Sequence, residues 1–566
     1  MRLLENRVSK VYMVRRVFNF VYREVRGLHQ AAYILAFFAF GSQILAIIRD
    51  RLLAHNFGAG IELDLYYAAF RIPDLLFVLF ASVLSVYVLL PFVNKASQTH
   101  GTKAGAAILS QVFTVFLIAY IAIAVIIMLL APVLTGYLFP GFSEQSTELV
   151  LLMRILLLQP LLLGISSLFG VVTQMNHRFV LFAISPLLYN IGIIFGISML
   201  YPVFGLVGLV AGVVIGAFGH LMVQVPFVRK STFAFSLVRT FDWKLLCQVL
   251  SVSIPRALTL SVNQIVLLVL VGMASFMAVG SVSTFQFAFN LQSVPLAIIG
   301  MSYSVAAFPT LSYLYAKEDH KGFNLQLVTA FRHIIFWSVP IIALVVVLRA
   351  QIVRVLLGSG AFDWADTRLT AALLAIFVFS LLAQAVLLLL IRAFYAGGKT
   401  LLPLVVAVCS GIVSILIAFL LRDVYFAHPE LATTLQNIFR LENVSGAEVL
   451  VLAIAFICGQ SLQVIVMVLA SRKTFLVSYT PLIHLFYQAI VAGVAGGLAS
   501  YIALNEVVDG INQNTFIGVL LQGAVAGVVG IAIVIIVYRL LGSAELKEIY
   551  RSFQTKIFKT DIVKPQ

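Results

Sequence analysis

The chain has 566 residues, 62% of them hydrophobic and only 10% charged, and its mean hydropathy is +1.08. That composition excludes an ordinary soluble domain and reads as a polytopic membrane protein. The net charge of +15 would suit nucleic acid, but basic residues such as Arg229, Lys230, Arg239 and Lys244 collect in alternate loops between apolar runs, which is the positive-inside pattern. The opposite loops hold Glu144, Asp423, Glu430, Glu506 and Asp509. No nucleic-acid partner is expected, and both termini are placed in the cytoplasm.

Residues 1–30 mix arginine and lysine with Val, Phe, Tyr and Leu and read as a basic arm lying on the anionic lipids of the inner leaflet. No short apolar core with a small-residue cleavage site is present, so a cleaved signal peptide is not expected. Apolar runs long enough to cross about 30 Å of hydrocarbon as helices then follow near residues 31–48, 68–93, 105–131, 148–172, 179–201, 204–227, 247–277, 282–311, 328–349, 369–391, 401–421, 447–470, 481–504 and 515–538. Backbone groups in lipid need internal partners, so runs of this length predict an all-α bundle of fourteen transmembrane helices. Residues 539–566 form a basic tail. Cys247, Cys409 and Cys458 lie in apolar segments without ligand spacing, and the histidines form no metal motif; neither a metal, a cofactor nor an enzyme is indicated.

The spans carry an internal repeat. Residues 42–73 resemble residues 263–295, each with a polar-Gln-Ile start, an Ala/Gly turn and an aromatic-rich helix. Pro91 and Pro309 stand 218 residues apart and Pro186 and Pro403 stand 217 apart. Six spans per half make the repeat parallel, giving an N-lobe over 31–228, a C-lobe over 245–470 and two further helices over 481–538. Two lobes flanking a cavity are the architecture of an alternating-access transporter.

Charged groups within spans are costly without a partner, so each is a candidate site. Arg49 ends the first span, the FGAG of residues 57–60 supplies glycines for a reversal, and Asp64 opens the second span. Arg49 and Asp64 can clasp each other, contact a substrate, or both. Tyr67, Arg71 and Asp74 share a helical face, and Pro73 between them invites a break; an Arg71–Asp74 pair is the alternative that needs no ligand. In the second half, Arg256, Thr259 and Asn263 make one polar stripe and Gln286, Asn290 and Ser293 another, equally suited to bonding neighbouring helices. Arg154, Arg349 and Arg392 read as cations at helix ends. Cations in a dry site suit an anionic head group, since an arginine fork grips phosphate in a bidentate way.

Taken together, SQILAIIRD (42–50), HNFGAGIELDLYYAAFRIPDLL (55–76), LLPF (89–92), GSGAFDWADTRLTAALL (358–374) and RAFYAGGKTLLP (392–403) resemble the signatures of the MurJ/MviN family over about residues 31–540. The resemblance implies a fourteen-helix member of the multidrug/oligosaccharidyl-lipid/polysaccharide exporter superfamily. It would flip lipid II, the undecaprenyl-diphosphate-linked peptidoglycan precursor, across the bacterial cytoplasmic membrane, as a monomer with cell-wall synthesis proteins as further partners. Carried over by position, it implies that Arg49, Arg71 and Arg256 contact the diphosphate and that Asp64 orients Arg49, and Gln43, which replaces a further first-helix arginine, is expected in the site with them. The sequence departs from the family pattern at Gln43, at Phe77 and Val78, at Ser82, and at Phe289 and Asn290, where the pattern has charged residues. The resemblance leaves open a flippase for another polyprenyl-linked glycan, or a non-transporting scaffold. The coupling ion, if any, is unassigned.

Overall fold

In a computed structural model of the chain, the structure describes Glu24 and residues 28–233, 236–507 and 515–558. Nearly all of the expected N-terminal arm, as well as Asp509 and the last residues of the tail, lies outside these. The helices run α1 (Leu28–Phe57), α2 (Ile61–Ala69), α3 (Arg71–Val83), α4 (Val86–His100), α5 (Thr102–Leu138), α6 (Ser146–Leu156), α7 (Leu158–Met175), α8 (Phe179–Phe195), α9 (Tyr201–Met222), α10 (Val225–Lys230) and α11 (Trp243–Ala274). They continue as α12 (Ser281–Leu296), α13 (Ser302–Ala316), α14 (His320–Leu356), α15 (Trp364–Ala396), α16 (Leu401–Ala427), α17 (Pro429–Phe439), α18 (Leu450–Phe475), α19 (Thr480–Ile502), α20 (Phe516–Leu540) and α21 (Ala544–Phe558). No strand occurs among the described residues.

Thirteen of the described helical stretches are long and apolar enough to cross a membrane. One of them, Phe179–Lys230, has 52 residues, far longer than the roughly 20 residues that one crossing needs. The chain reverses within it at Gly205, with φ 58° and ψ −145°, a conformation open to glycine and costly for other residues. It therefore supplies two crossings, one on each side of Gly205, and the described residues make fourteen crossings.

Glycines let α8 and α9 touch backbone to backbone. A Cβ on Gly196 would lie 2.7 Å from the Gly212 Cα, and one on Gly192 would strike the backbone of Gly216. Such closeness replaces the hydrophobic drive that lipid cannot supply.

The chain packs as two compact units, Met1–Val282 and Ser283–Gln566. The boundary falls after the seventh span. Helix α11, read from the repeat as the first of the C-lobe, packs in the first unit on α3. Its Gly272 abuts the Leu138 carbonyl, and Gly141 abuts that of Ser275. A repeat records duplication of sequence, whereas a packing unit follows which faces are small enough to meet. In the second unit, α19 and α20 pack on α14, with Gly493 against Pro340 and Gly530 against Leu344 and Ser500, so the last two spans are integral to it.

The second span breaks at Phe70, between α2 and α3, three residues before Pro73. The missing N–H of Pro73 would have bonded the Ala69 carbonyl, four residues back. That lost bond sets the break, and Pro73 itself sits in the first turn of α3, where no donor is required.

Helix α21 is held on the second unit by a half-buried ion pair. Arg332 of α14 reaches Glu545 of α21 at 2.6 Å, and the Ser543 hydroxyl donates to the same carboxylate at 2.8 Å. Burial would push the Glu545 carboxyl up, but its own backbone N–H, Ser543 and Arg332 outweigh burial and hold it below the usual carboxylate range. A depressed pKa contributes stability that is present above the ordinary carboxylate value and lost as pH falls through the depressed one.

Two outcomes follow. Gly212→Leu forces overpacked backbones apart, a cost of about 1–3 kcal/mol or more, and is expected to lower the unfolding midpoint in detergent, whereas Gly136→Leu, in open space, leaves it unchanged. A spin label at the exposed Tyr550 should keep constant mobility from neutral pH down to about 4 and loosen only in stronger acid; in Glu545→Gln it should be loose at neutral pH already.

Candidate functional site

A group of polar residues gathers in the first unit around Arg49. Near the end of α1, its Nε donates to Asp50 Oδ1 at 2.9 Å and its Nη2 lies 2.7 Å from the same oxygen. Its Nη1 donates to Asn190 Oδ1 of α8 at 3.1 Å. Asn190 is in turn fixed by donating to Ser42 Oγ and to the Pro186 carbonyl, each at 3.2 Å. Guanidinium carries five N–H donors, so this arrangement locks the group in place and leaves one hydrogen on each terminal nitrogen. The side chain keeps 21% of its surface exposed. A guanidinium both held and reachable can grip two oxygens of an anion without first losing rotamer entropy.

Around this pair, Tyr66 and Tyr67 of α2 are buried, their rings 5.3 Å apart. Arg71, at the break, is buried. Gln159 of α7 donates to the Tyr189 hydroxyl of α8 at 3.1 Å. Three helix pairs, α1 with α8, α3 with α7 and α7 with α8, bring these groups together.

Arg49 and Asp64 form no direct pair, so the clasp, one of the two alternatives the sequence offered, is absent. All of Arg49's hydrogen bonds go to Asp50 and Asn190. Asp64, buried at the start of α2, accepts the Gly280 N–H at 2.7 Å, beyond the end of α11. Gly280 has φ +90° and lies so close to Ala59 that a Cβ would strike its carbonyl, so the FGAG reversal and the turn after α11 interlock with Asp64 as the fastener. Asp50 is nearer to Arg49 and already on its helix.

Gln43, expected in the site, is exposed on α1. Arg256 and Asn263 are half-buried on α11 in the first unit, and the Thr259 hydroxyl is spent on the Pro255 carbonyl at 2.7 Å. In the second unit Gln286 Nε2 donates to Asn290 Oδ1 at 2.6 Å, and Ser293 donates to the Asn290 carbonyl at 2.6 Å. Phe289 closes a ring cluster with Phe377 at 5.6 Å and Phe456 at 5.7 Å. Arg392 crosses to Ser304 and Met301 as a structural cation.

The residues that sequence reasoning missed, Asp50 as the partner and Asn190, Ser42, Gln159 and Tyr189 as its frame, had one legible signal. Asn190 is an amide in the middle of an apolar span, where a polar group is a candidate by default.

Fourteen crossings and a charged site buried in one unit define an α-helical membrane transporter. The fold is shared with a structure of "Lipid II flippase MurJ, inward closed conformation" at TM-score 0.69 and 22% identity, over 92% of this chain and all of that one. It is also shared with an inward-facing multidrug resistance MATE family transporter of the MOP superfamily at TM-score 0.62 and 13% identity, over 76% and 94%. The family described as Lipid II flippase MurJ matches residues 53–437, and the chain belongs to it. Among its relatives, the "Probable lipid II flippase MurJ" of Rickettsia prowazekii (strain Madrid E) is 26% identical over 70% of this chain and 78% of its own length. That of Buchnera aphidicola subsp. Schizaphis graminum (strain Sg) is 28% identical over 69% and 77%.

A hydrogen bond to a charged group contributes about 1.5–3 kcal/mol. Asn190→Ala is therefore expected to lower the detergent unfolding midpoint by several degrees, while Gln43→Ala leaves it in place; equal midpoints would remove Asn190 from the frame.

Proposed function

We propose that the chain flips lipid II, the undecaprenyl-diphosphate-linked peptidoglycan precursor, from the inner to the outer leaflet of the bacterial cytoplasmic membrane by alternating access. Both termini lie in the cytoplasm, and the chain works as a monomer without a cofactor. The observation that carries this reading is the Arg49 guanidinium, held by Asp50 and Asn190 with a hydrogen left on each terminal nitrogen. A diphosphate presents pairs of anionic oxygens at the spacing such a fork accepts. Arg71, and Arg256 on the neighbouring α11, add positive field on the same unit, and Asp64 fastens the turn after α11. The anionic lipids of the inner leaflet are partners of the basic termini, and cell-wall synthesis proteins are further partners.

A second reading has one observation in its favour. The aromatic cluster at Phe289 stands where the family pattern carries charge, which suits a flippase for another polyprenyl-linked glycan with a less anionic or bulkier head.

Expression in cells depleted of their own lipid II flippase should restore growth. Arg49→Ala should abolish rescue at equal membrane abundance, and Arg49→Lys, which keeps charge and loses the fork, should fall in between. Correct insertion without rescue by the unaltered chain would overturn the lipid II reading. Preferential detergent-phase binding of a different undecaprenyl-linked sugar would favour the second.

A further inference from the structure

Helix α17, between the spans α16 and α18, has no part in this chemistry and contains no buried residue. At 100° per residue, Glu430, Thr433, Thr434 and Asn437 share one face, while Leu431, Leu435, Ile438 and Phe439 share the other. Leu435 and Phe439 are half-buried, but Leu431 is 55% and Ile438 66% exposed.

The strip is not a loose end. Gln436 Nε2 donates to the Tyr425 hydroxyl of α16 at 3.0 Å. At the other end Arg440 closes the helix in the left-handed conformation, φ 56°, Leu441 is fully buried, and Arg368 of α15 donates to the Arg440 carbonyl and pairs with Glu442 at 3.4 Å. The helix is therefore fixed on the ends of two spans.

Its level is marked too. One turn before Arg368, at the start of α15, stands Trp364, 56% exposed, with the Arg354 guanidinium 5.8 Å from its ring. Exposed tryptophan with a basic neighbour at a span's end belongs at the membrane–water boundary. The outward face of α16 carries Leu416 and Leu420, each 61% exposed, and Phe426 at 63%. Only His428 separates that span from α17, so the helix begins directly at the end of a span with an exposed apolar face.

We propose that α17 lies in the boundary between head groups and acyl chains, with Leu431 and Ile438 seated in the lipid and Glu430, Thr433 and Asn437 in water. The bilayer is its occupant, and it braces the connection between α16 and α18 at the membrane surface. The helix carries Glu430 and no lysine or arginine, so apolar area holds it there and anionic lipid adds nothing.

Nitroxide labels on Ile438→Cys and Thr434→Cys, in full-length protein with Cys247, Cys409 and Cys458 replaced by alanine and reconstituted in phosphatidylcholine nanodiscs, test this. The label at 438 should be relaxed by oxygen several-fold more than by a water-soluble nickel chelate, the label at 434 should show the reverse, and half phosphatidylglycerol should change neither. Equal nickel access at both positions would overturn the proposal. So would exclusion of both reagents at 438 with spin–spin broadening between labels, which would mark a second copy of the chain on this face.

Discussion

A cation cannot be left alone in hydrocarbon. An arginine placed in an apolar span costs several kcal/mol unless it meets a partner or water, and the first unit is organised around that requirement. Arg49 is answered by Asp50 beside it and by Asn190 across the helix interface. The Asn190 amide holds its angle because Ser42 and the Pro186 carbonyl accept its hydrogens. Each polar group is satisfied by the next, which makes the network costly to disturb and narrow in geometry.

The same requirement explains what the backbone does nearby. The interruption at Phe70 places Arg71 at the head of α3, and Pro73 tolerates the first turn because no N–H is needed there. Asp64 shows a second use of a buried carboxylate, as the acceptor of a backbone N–H in a turn that Gly280 allows to come close. In lipid, a backbone donor outside a helix needs such an acceptor as much as a side chain does.

The second unit solves its interior differently. Phe289 meets Phe377 and Phe456 edge to face, an arrangement with no desolvation penalty and a packing gain of about 0.5–1.5 kcal/mol per ring pair. The Gln286–Asn290 and Ser293 stripe bonds within its own helix. Arg49, Arg71 and, on α11, Arg256 all belong to the first unit.

The sequence alone determined the fold class, the crossings and the segment that matters, because an apolar run of about 20 residues has one stable form in lipid and a charge within it stands out. It also marked Arg49 and Arg71, since cost makes such residues conspicuous. Tertiary structure decided who answers them. The carboxylate chosen by reading along the chain, Asp64, lost to its neighbour Asp50, and the second partner, Asn190, lies 141 positions away. Partner choice depends on which helices approach closely, and that approach rests on small residues whose contribution is visible only once their neighbours are in place. The placing of α11 in the first unit, against the sense of the repeat, follows from the same packing of small residues.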